Sequence, residues 1–166
     1  LGIEGGSNGG PLVAASMTQH PERYGAVLCR AGVLDMLRYE RFTCGKDWTP
    51  DYGSVAVPEE LAALRAYSPL HAVREGVRYP ATLLLTGDHD DRVVPAHTFK
   101  FTAALQHAQA GDAPILLGLL RDSGHGTGRT WEQRLDDAAD KLAFFEATLR
   151  PAYRTADSSA ALEKRP

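Results

Sequence analysis

Apolar residues follow two alternating patterns along the chain, short continuous runs and longer stretches with helical spacing. Continuous apolar runs of this length are typical of strands that are covered on both faces. The predicted strands are residues 1–4, 24–30, 81–86 and 115–120. The predicted helices are residues 11–19, 58–67, 95–109 and 131–149. The alternation predicts an α/β protein with a mainly parallel sheet, in which ligands bind at the carboxyl ends of the strands.

The last predicted helix has an amphipathic pattern. Its apolar residues recur at spacings of three and four, so they share one face of the helix. These residues are Trp131, Leu135, Ala138, Leu142, Phe145 and Leu149. Pro151 is expected to end the helix. Residues 1–150 are therefore assigned to one folded segment and residues 151–166 to a loose, polar tail.

Residues 31–57 form a long connection between predicted strands and helices. Connections of this length are usually functional or disordered. Aromatic residues such as Tyr39, Trp48 and Tyr52 argue against disorder.

Composition narrows the choice of partners and compartments. The 166 residues are 43% hydrophobic and 23% charged with a net charge of -3, which argues against nucleic acid or a membrane surface as a partner. Cys29 and Cys44 lack metal-like spacing and favour free thiols in a reducing compartment such as the cytoplasm. The alternative is one disulfide in a periplasmic or secreted protein.

Because the chain opens at Leu1, already inside a strand, we interpret it as a piece of a longer protein.

The first candidate for chemistry is Ser7, in the turn Gly-Gly-Ser-Asn-Gly between a predicted strand and a predicted helix. A serine hydroxyl becomes a nucleophile only when it is exposed beside a base, and small neighbours permit the sharp turn that exposes it. The backbone N–H of Asn8 would then point at the oxyanion that forms during attack. A phosphate-binding loop or a plain flexible turn is the alternative.

The second candidate is the acidic loop after the strand 81–86, which contains Asp88, His89, Asp90 and Asp91. It lies where the acid of a catalytic triad would lie, but the pattern alone does not choose among the three aspartates. Acidic residues before a helix are also common as caps. A metal site is a weaker alternative, because Arg92 places a positive charge in the same loop.

The third candidate is His125, between two glycines after the strand 115–120. We interpret His89 as a supporting residue. The remaining histidines are predicted to have no chemical partner; they are His20, His71, His97 and His107. Serine, aspartate and histidine thus follow successive strands in the chain order of the α/β-hydrolase triad, in which histidine is the base and aspartate orients it. This chemistry requires no metal or cofactor, and we expect none.

Five segments together closely resemble the prolyl oligopeptidase family of serine peptidases. They read GGSNGG, WTPDYG, YSPLH, LLLTGDHDDRVVP and SGHG, at residues 5–10, 48–53, 67–71, 83–95 and 123–126. The resemblance covers residues 1 to about 150 and implies the C-terminal half of an α/β-hydrolase domain. It also implies that Asp90 is the triad acid.

The resemblance further implies how a substrate would bind. Trp48 corresponds to the indole that stacks on the substrate's proline ring, and Arg92 to the guanidinium that binds a substrate carbonyl. The other walls of the apolar pocket correspond to Val33, Tyr52 and Val93. The expected activity is cleavage of short peptides after proline. Another peptide or ester specificity, or an inactive fragment, is the alternative.

The family's whole proteins also have a seven-bladed propeller and the first half of the hydrolase sheet, with a tyrosine that serves as the second oxyanion donor. Both are expected to lie upstream of this chain. Without them, we expect a long hydrophobic sheet edge to be exposed.

Overall fold

The computed structural model describes residues 1–126 and 128–149. Four strands alternate with helices along these residues. The strands are β1 (Gly2–Gly6), β2 (Ala26–Arg30), β3 (Ala81–Gly87) and β4 (Ile115–Leu120). The helices are α1 (Gly9–Gln19), α2 (Thr49–Tyr52), α3 (Pro58–Tyr67), α4 (Ala96–Ala108) and α5 (Trp131–Leu149). Short segments of 3₁₀ helix lie at Pro21–Arg23, Tyr39–Arg41, Thr43–Trp48 and Pro69–Ala72.

The four strands form one parallel sheet in the order β1-β2-β3-β4. Because successive side chains of a strand point to opposite faces, β2 contributes Val27 and Cys29 to one core cluster and Ala26 and Leu28 to another. Side chains of α1 and α4 complete the first cluster, and side chains of α5 complete the second. The result is a sheet between two helical layers, which confirms the predicted α/β architecture.

The turn around Ser7 is shorter than its glycines predict. The prediction ends β1 at residue 4 and begins α1 at residue 11, whereas β1 continues to Gly6 and α1 begins at Gly9. Gly5 and Gly6 remain in the strand because they pair with Cys29 and Arg30 of β2. Tertiary pairing therefore overrides the weak strand propensity of glycine.

The prediction for α5 is only partly correct, because part of its apolar face does not pack on the core. Trp131, Leu135 and Leu142 are 69%, 50% and 71% exposed, whereas Phe144, outside the predicted face, is buried. Helical periodicity shows which residues share a face but not what that face meets. Neither α5 nor another helix of the described residues is long and apolar enough to cross a membrane. The predicted stop at Pro151 and the tail 151–166 lie outside the described residues.

Strand β4 is less covered than its apolar sequence predicts. It is an edge strand, and Leu116, Leu117 and Leu119 are each more than 40% exposed. Only Ile115 at its start is buried. At β4, an unpaired row of backbone groups therefore accompanies exposed leucines.

The long connection 31–57 is ordered by a third core cluster. Its buried members are Val33, Met36, Tyr39, Leu64 and Val93, and Trp48 and Tyr52 pack against them. The aromatic residues therefore organise this connection as predicted, beside the loop that follows β3.

Candidate active site

Ser7 lies directly after β1, at the carboxyl edge of the sheet. Its φ of 52° is unusual for a residue with a side chain and marks a sharp turn of the kind that exposes a serine hydroxyl. The backbone N–H of Ser7 donates to the carbonyl of Arg30 at 2.9 Å, which fixes the turn against β2. A Cβ on Gly5 would lie 2.4 Å from the carbonyl oxygen of Gly9, so only glycine fits before the turn.

The three side chains singled out by their positions after strands converge at this edge. Nε2 of His125 lies 2.9 Å from Oγ of Ser7, and Nδ1 of His125 lies 2.7 Å from Oδ2 of Asp90. Asp90 is only 3% exposed. Its other oxygen accepts hydrogen bonds from the backbone N–H groups of Arg92 at 3.0 Å and Val93 at 2.8 Å. Of the three aspartates that the sequence pattern left open, Asp90 is the one that contacts the imidazole of His125.

Asp88 and His89 have a different surrounding. Nδ1 of His89 lies 2.8 Å from Oδ1 of Asp88, which also accepts from the N–H of Ser123 at 3.1 Å. Desolvation acts to raise the pKa of Asp88, but hydrogen bonds from His89, Ser123 and Asp122 together lower it to about 2. Asp88, His89 and Asp122 form a group with metal-ligand atoms within 4.8 Å, and its side chains are mostly exposed. Through its contact with the N–H of Ser123, Asp88 joins the loop after β3 to the loop after β4.

The loop that carries His125 also rests directly on the end of β3. The N–H of His89 donates to the carbonyl of Ser123 at 3.0 Å. A Cβ on Gly87 would lie 2.2 Å from that same carbonyl oxygen and 2.9 Å from the carbonyl oxygen of Gly124. The absence of a side chain at residue 87 is therefore what lets the histidine loop reach Asp90.

We expect Gly87→Ala to lower the free energy of unfolding by about 1–3 kcal/mol, because two backbone carbonyls must move to admit the methyl group. Chemical denaturation measures this change. Gly9→Ala is the matched control, since a Cβ there meets nothing within 4 Å. Equal stability of the two variants would contradict the close approach.

Asp137 of α5 joins the loop that carries His125 to the end of β2. Its Oδ2 accepts hydrogen bonds from Arg30 at 3.2 Å and from Arg129 at 3.0 Å. Arg30 ends β2, whereas Arg129 lies four residues after His125. This buried ion cluster was not predicted, because the three residues are far apart in the chain and lie in no recognisable motif.

A side pocket opens beside Ser7 with a volume of about 160 Å³. Its lining residues are Ser7, Asn8, Val33, Trp48, Asp51, Tyr52, Arg92 and Val93. All five predicted substrate-binding residues are thus brought together, together with Asp51, for which no sequence signal was found. The hydroxyl of Tyr52 donates to Oδ1 of Asn8, and the ring of Tyr52 packs edge-on against Tyr39 at 5.5 Å. These contacts fix one wall of the side pocket relative to Ser7.

Comparison with known proteins identifies the family of the chain. The model of the prolyl oligopeptidase family matches residues 1–152. The chain belongs to this family. It is 48% identical over 145 residues to the prolyl endopeptidase of Elizabethkingia miricola, covering 87% of this chain and 21% of that protein. It is 43% identical to prolyl oligopeptidase A of Amanita bisporigera, covering 93% of this chain and 20% of the relative.

Solved structures of the prolyl oligopeptidase family share the fold. A prolyl endopeptidase structure matches with a TM-score of 0.87 and 47% identity, covering 90% of this chain and 22% of its own. Prolyl oligopeptidase B from Galerina marginata, bound to a 35mer hydrolysis and macrocyclization substrate, matches with a TM-score of 0.83 and 39% identity over 89% of this chain and 21% of its own. The parallel sheet is therefore part of an α/β-hydrolase fold. The chain spans about a fifth of the length of these relatives.

The structure corrects one prediction about the histidines. His20, His71, His97 and His107 were predicted to have no chemical partner, and this is wrong. His20 and His107 lie near Glu22 and Glu75 on the surface. Nδ1 of His71 lies 2.8 Å from Oγ of Ser68, and His97 is buried with two backbone donors. His89, interpreted from the sequence as a supporting residue, contacts Asp88.

Both cysteines are free thiols. Cys29 is buried in β2, and burial raises its pKa to about 12. Its thiol therefore remains protonated and unreactive at neutral pH. Cys44 is exposed in the 3₁₀ turn that also contains Trp48.

Proposed function

We propose that this chain is the C-terminal part of the catalytic domain of a serine endopeptidase that cleaves short peptides on the carboxyl side of proline. The observation that carries the proposal is the continuous hydrogen-bonded series from Ser7 through His125 to Asp90, directly beside the side pocket in which Val33, Val93 and Trp48 form apolar walls. Solved forms of the Galerina protein carry alanine in place of a serine, an aspartate or a histidine, which supports the importance of these three residue types there.

The reaction begins when Oγ of Ser7 attacks the carbonyl carbon that follows the proline ring. Nε2 of His125 accepts the hydroxyl proton, while Asp90 accepts a hydrogen bond from Nδ1–H and stabilises the imidazolium. The imidazolium then donates this proton to the leaving amine as the peptide bond breaks. Water, activated by the same imidazole, hydrolyses the resulting acyl-enzyme and restores Ser7.

The oxyanion of each tetrahedral intermediate requires preorganised donors. The backbone N–H of Asn8, at the start of the turn into α1, is the donor proposed within this chain. Its position directly after Ser7 matches the arrangement in the α/β-hydrolase fold. The tyrosine hydroxyl implied by the family resemblance would supply the second donor from outside this chain.

Proline fits the side pocket because the ring is small, flat and apolar. Val33 and Val93 are buried walls, and the indole of Trp48 offers a flat surface for stacking. Arg92 lines the same pocket and supplies a charged donor for a substrate carbonyl one residue upstream.

The rest of the enzyme is proposed to lie in a longer polypeptide, called the parent polypeptide below. The relatives are about five times the length of the match, as their 20–21% coverage indicates. The family resemblance assigns to the remainder a propeller that admits only short peptides and the first half of the hydrolase sheet. The functional test is hydrolysis of a chromogenic prolyl peptide by the parent polypeptide, and failure to cleave it in preference to the alanyl analogue would overturn the proposed specificity.

Trp48→Ala is expected to lower kcat/KM for the prolyl peptide by about 10–100-fold, because the proline ring loses its stacking surface. Hydrolysis of the alanyl analogue should change much less, since alanine has no ring to stack. Steady-state kinetics on both peptides measure the difference. Trp131→Ala, at a 69% exposed tryptophan outside the site, is the matched control. An equal loss on both peptides would mean that Trp48 supports the fold rather than the selection of proline.

A further inference from the structure

The segment around Val33 is held in place by side chains rather than by a helix or strand. Val33 lines the side pocket and lies outside all regular elements. The next two backbone N–H groups, of Leu34 and Asp35, donate to Nδ1 of His97 at 3.3 and 3.1 Å. Buried N–H groups need an acceptor, and here one ring nitrogen serves both. The position of Val33 therefore depends on a residue that is more than 60 positions away in the chain.

The chemistry of His97 suits this role. It is 1% exposed in the first turn of α4. Burial is the main cause that lowers the pKa of His97 to about 4, so its ring is neutral near pH 7. With two N–H donors directed at Nδ1, the ring proton must be on Nε2.

An ion pair between Lys100 and a buried carboxylate ties the same segment to α4 a second time. The carboxylate of Asp35 is completely buried and accepts a hydrogen bond from Lys100, one turn after His97. Burial acts to raise the pKa of Asp35, but the hydrogen bond and positive charge of Lys100, together with His71 and Arg38, outweigh it and lower the pKa. The ring of Phe42 lies 5.2 Å from Nζ of Lys100 and 5.0 Å from the ring of His97.

His97 also connects two walls of the side pocket. Helix α4 begins directly after the loop that carries Asp90, Arg92 and Val93. The N–H of His97 donates to the carbonyl of Val94 at 3.1 Å, while its ring accepts from the segment of Val33. His97 thereby fixes Val33, from the connection 31–57, relative to Val93, from the loop after β3.

We propose that His97 is a positioning residue for substrate selection, which holds Val33 in the side pocket by accepting hydrogen bonds from Leu34 and Asp35. The inference rests on the proposed preference for proline. His97 does not touch the reacting atoms, so it acts on the fit of the proline ring rather than on the attack by Ser7.

Three substitutions in the parent polypeptide distinguish the effect of the hydrogen-bond acceptor at Nδ1 from the effect of the rest of the His97 ring. In His97→Asn the amide oxygen takes the place of Nδ1, whereas in His97→Gln it takes the place of Nε2, and His97→Leu has no acceptor. The glutamine and leucine variants are expected to lower the prolyl-to-alanyl ratio of kcat/KM by about tenfold or more, mainly through KM, and the asparagine variant to stay within about threefold of the unmodified protein.

Labelling of Ser7 by a fluorophosphonate, which does not need the side pocket, should keep its rate in all three variants. His107→Leu, at an exposed histidine of the same helix, is the control and should change neither quantity. Equal ratios in the asparagine and glutamine variants would overturn the inference, and so would a parallel loss of labelling and prolyl hydrolysis. If the leucine variant does not fold, the comparison of asparagine with glutamine decides. Absence of a prolyl preference in the unmodified protein would instead overturn the proposed function, and this inference with it.

Discussion

Ser7→Ala in the parent polypeptide is expected to reduce kcat for a prolyl peptide by a factor on the order of 10⁶. Alanine has no oxygen at the position that lies 2.9 Å from Nε2 of His125, so no acyl-enzyme can form. Residual hydrolysis would come from binding and from oxyanion stabilisation by Asn8 and the proposed second donor of the parent polypeptide. Release of a chromogenic amine from the prolyl peptide measures kcat, and a fluorophosphonate measures covalent labelling.

The matched control is Ser16→Ala, which removes a hydroxyl from the middle of α1 and should leave both measurements unchanged. The fold of the Ser7 variant should be intact, because the turn is fixed by the backbone N–H of Ser7 and not by its side chain. Hydrolysis above about one per cent of the unmodified rate, or labelling at another residue, would show that the nucleophile lies elsewhere.

The positions of the three reactive side chains could be predicted because each follows a predicted strand, and the carboxyl ends of parallel strands lie at the same sheet edge. The choice among the aspartates could not be predicted from the residues alone. It depends on the direction of one side chain, which is set by backbone donors at Arg92 and Val93. The resemblance to the prolyl oligopeptidase family supplied the choice of Asp90, and the structure gives the physical reason.

The limits of sequence reasoning are clearest at His97 and α5. A lone histidine in a helix gives no signal of a buried role, because its partners Leu34 and Asp35 belong to a distant, irregular segment. The apolar spacing in α5 predicts a helix correctly but cannot show that Trp131 and Leu142 are exposed. In both cases the missing information is tertiary: local patterns define elements, whereas packing partners come from the whole fold.

Asp90→Asn is expected to lower kcat by about 10⁴-fold with little change in KM. The two backbone N–H groups of Arg92 and Val93 donate to one oxygen of residue 90, so the amide oxygen of asparagine must occupy that position. The amide NH₂ then faces Nδ1 of His125, which lies 2.7 Å from the present Oδ2. Because NH₂ only donates, Nδ1 must become an acceptor and the ring proton must move to Nε2. A protonated Nε2 can no longer accept the proton of Ser7.

This result distinguishes an orienting acid from a merely nearby charge. Asp91→Asn removes the same charge from an exposed neighbour and should leave kcat unchanged. Asp88→Asn removes the contact with His89 but leaves the backbone donors of Asp90 in place, so its effect should be far smaller than that of Asp90→Asn. Steady-state kinetics of the three variants on one prolyl peptide make the comparison. Activity within about tenfold for Asp90→Asn, with loss of activity in Asp88→Asn, would mean that Asp88 and not Asp90 orients the imidazole. The proposed proton transfer from Ser7 would then have to be abandoned.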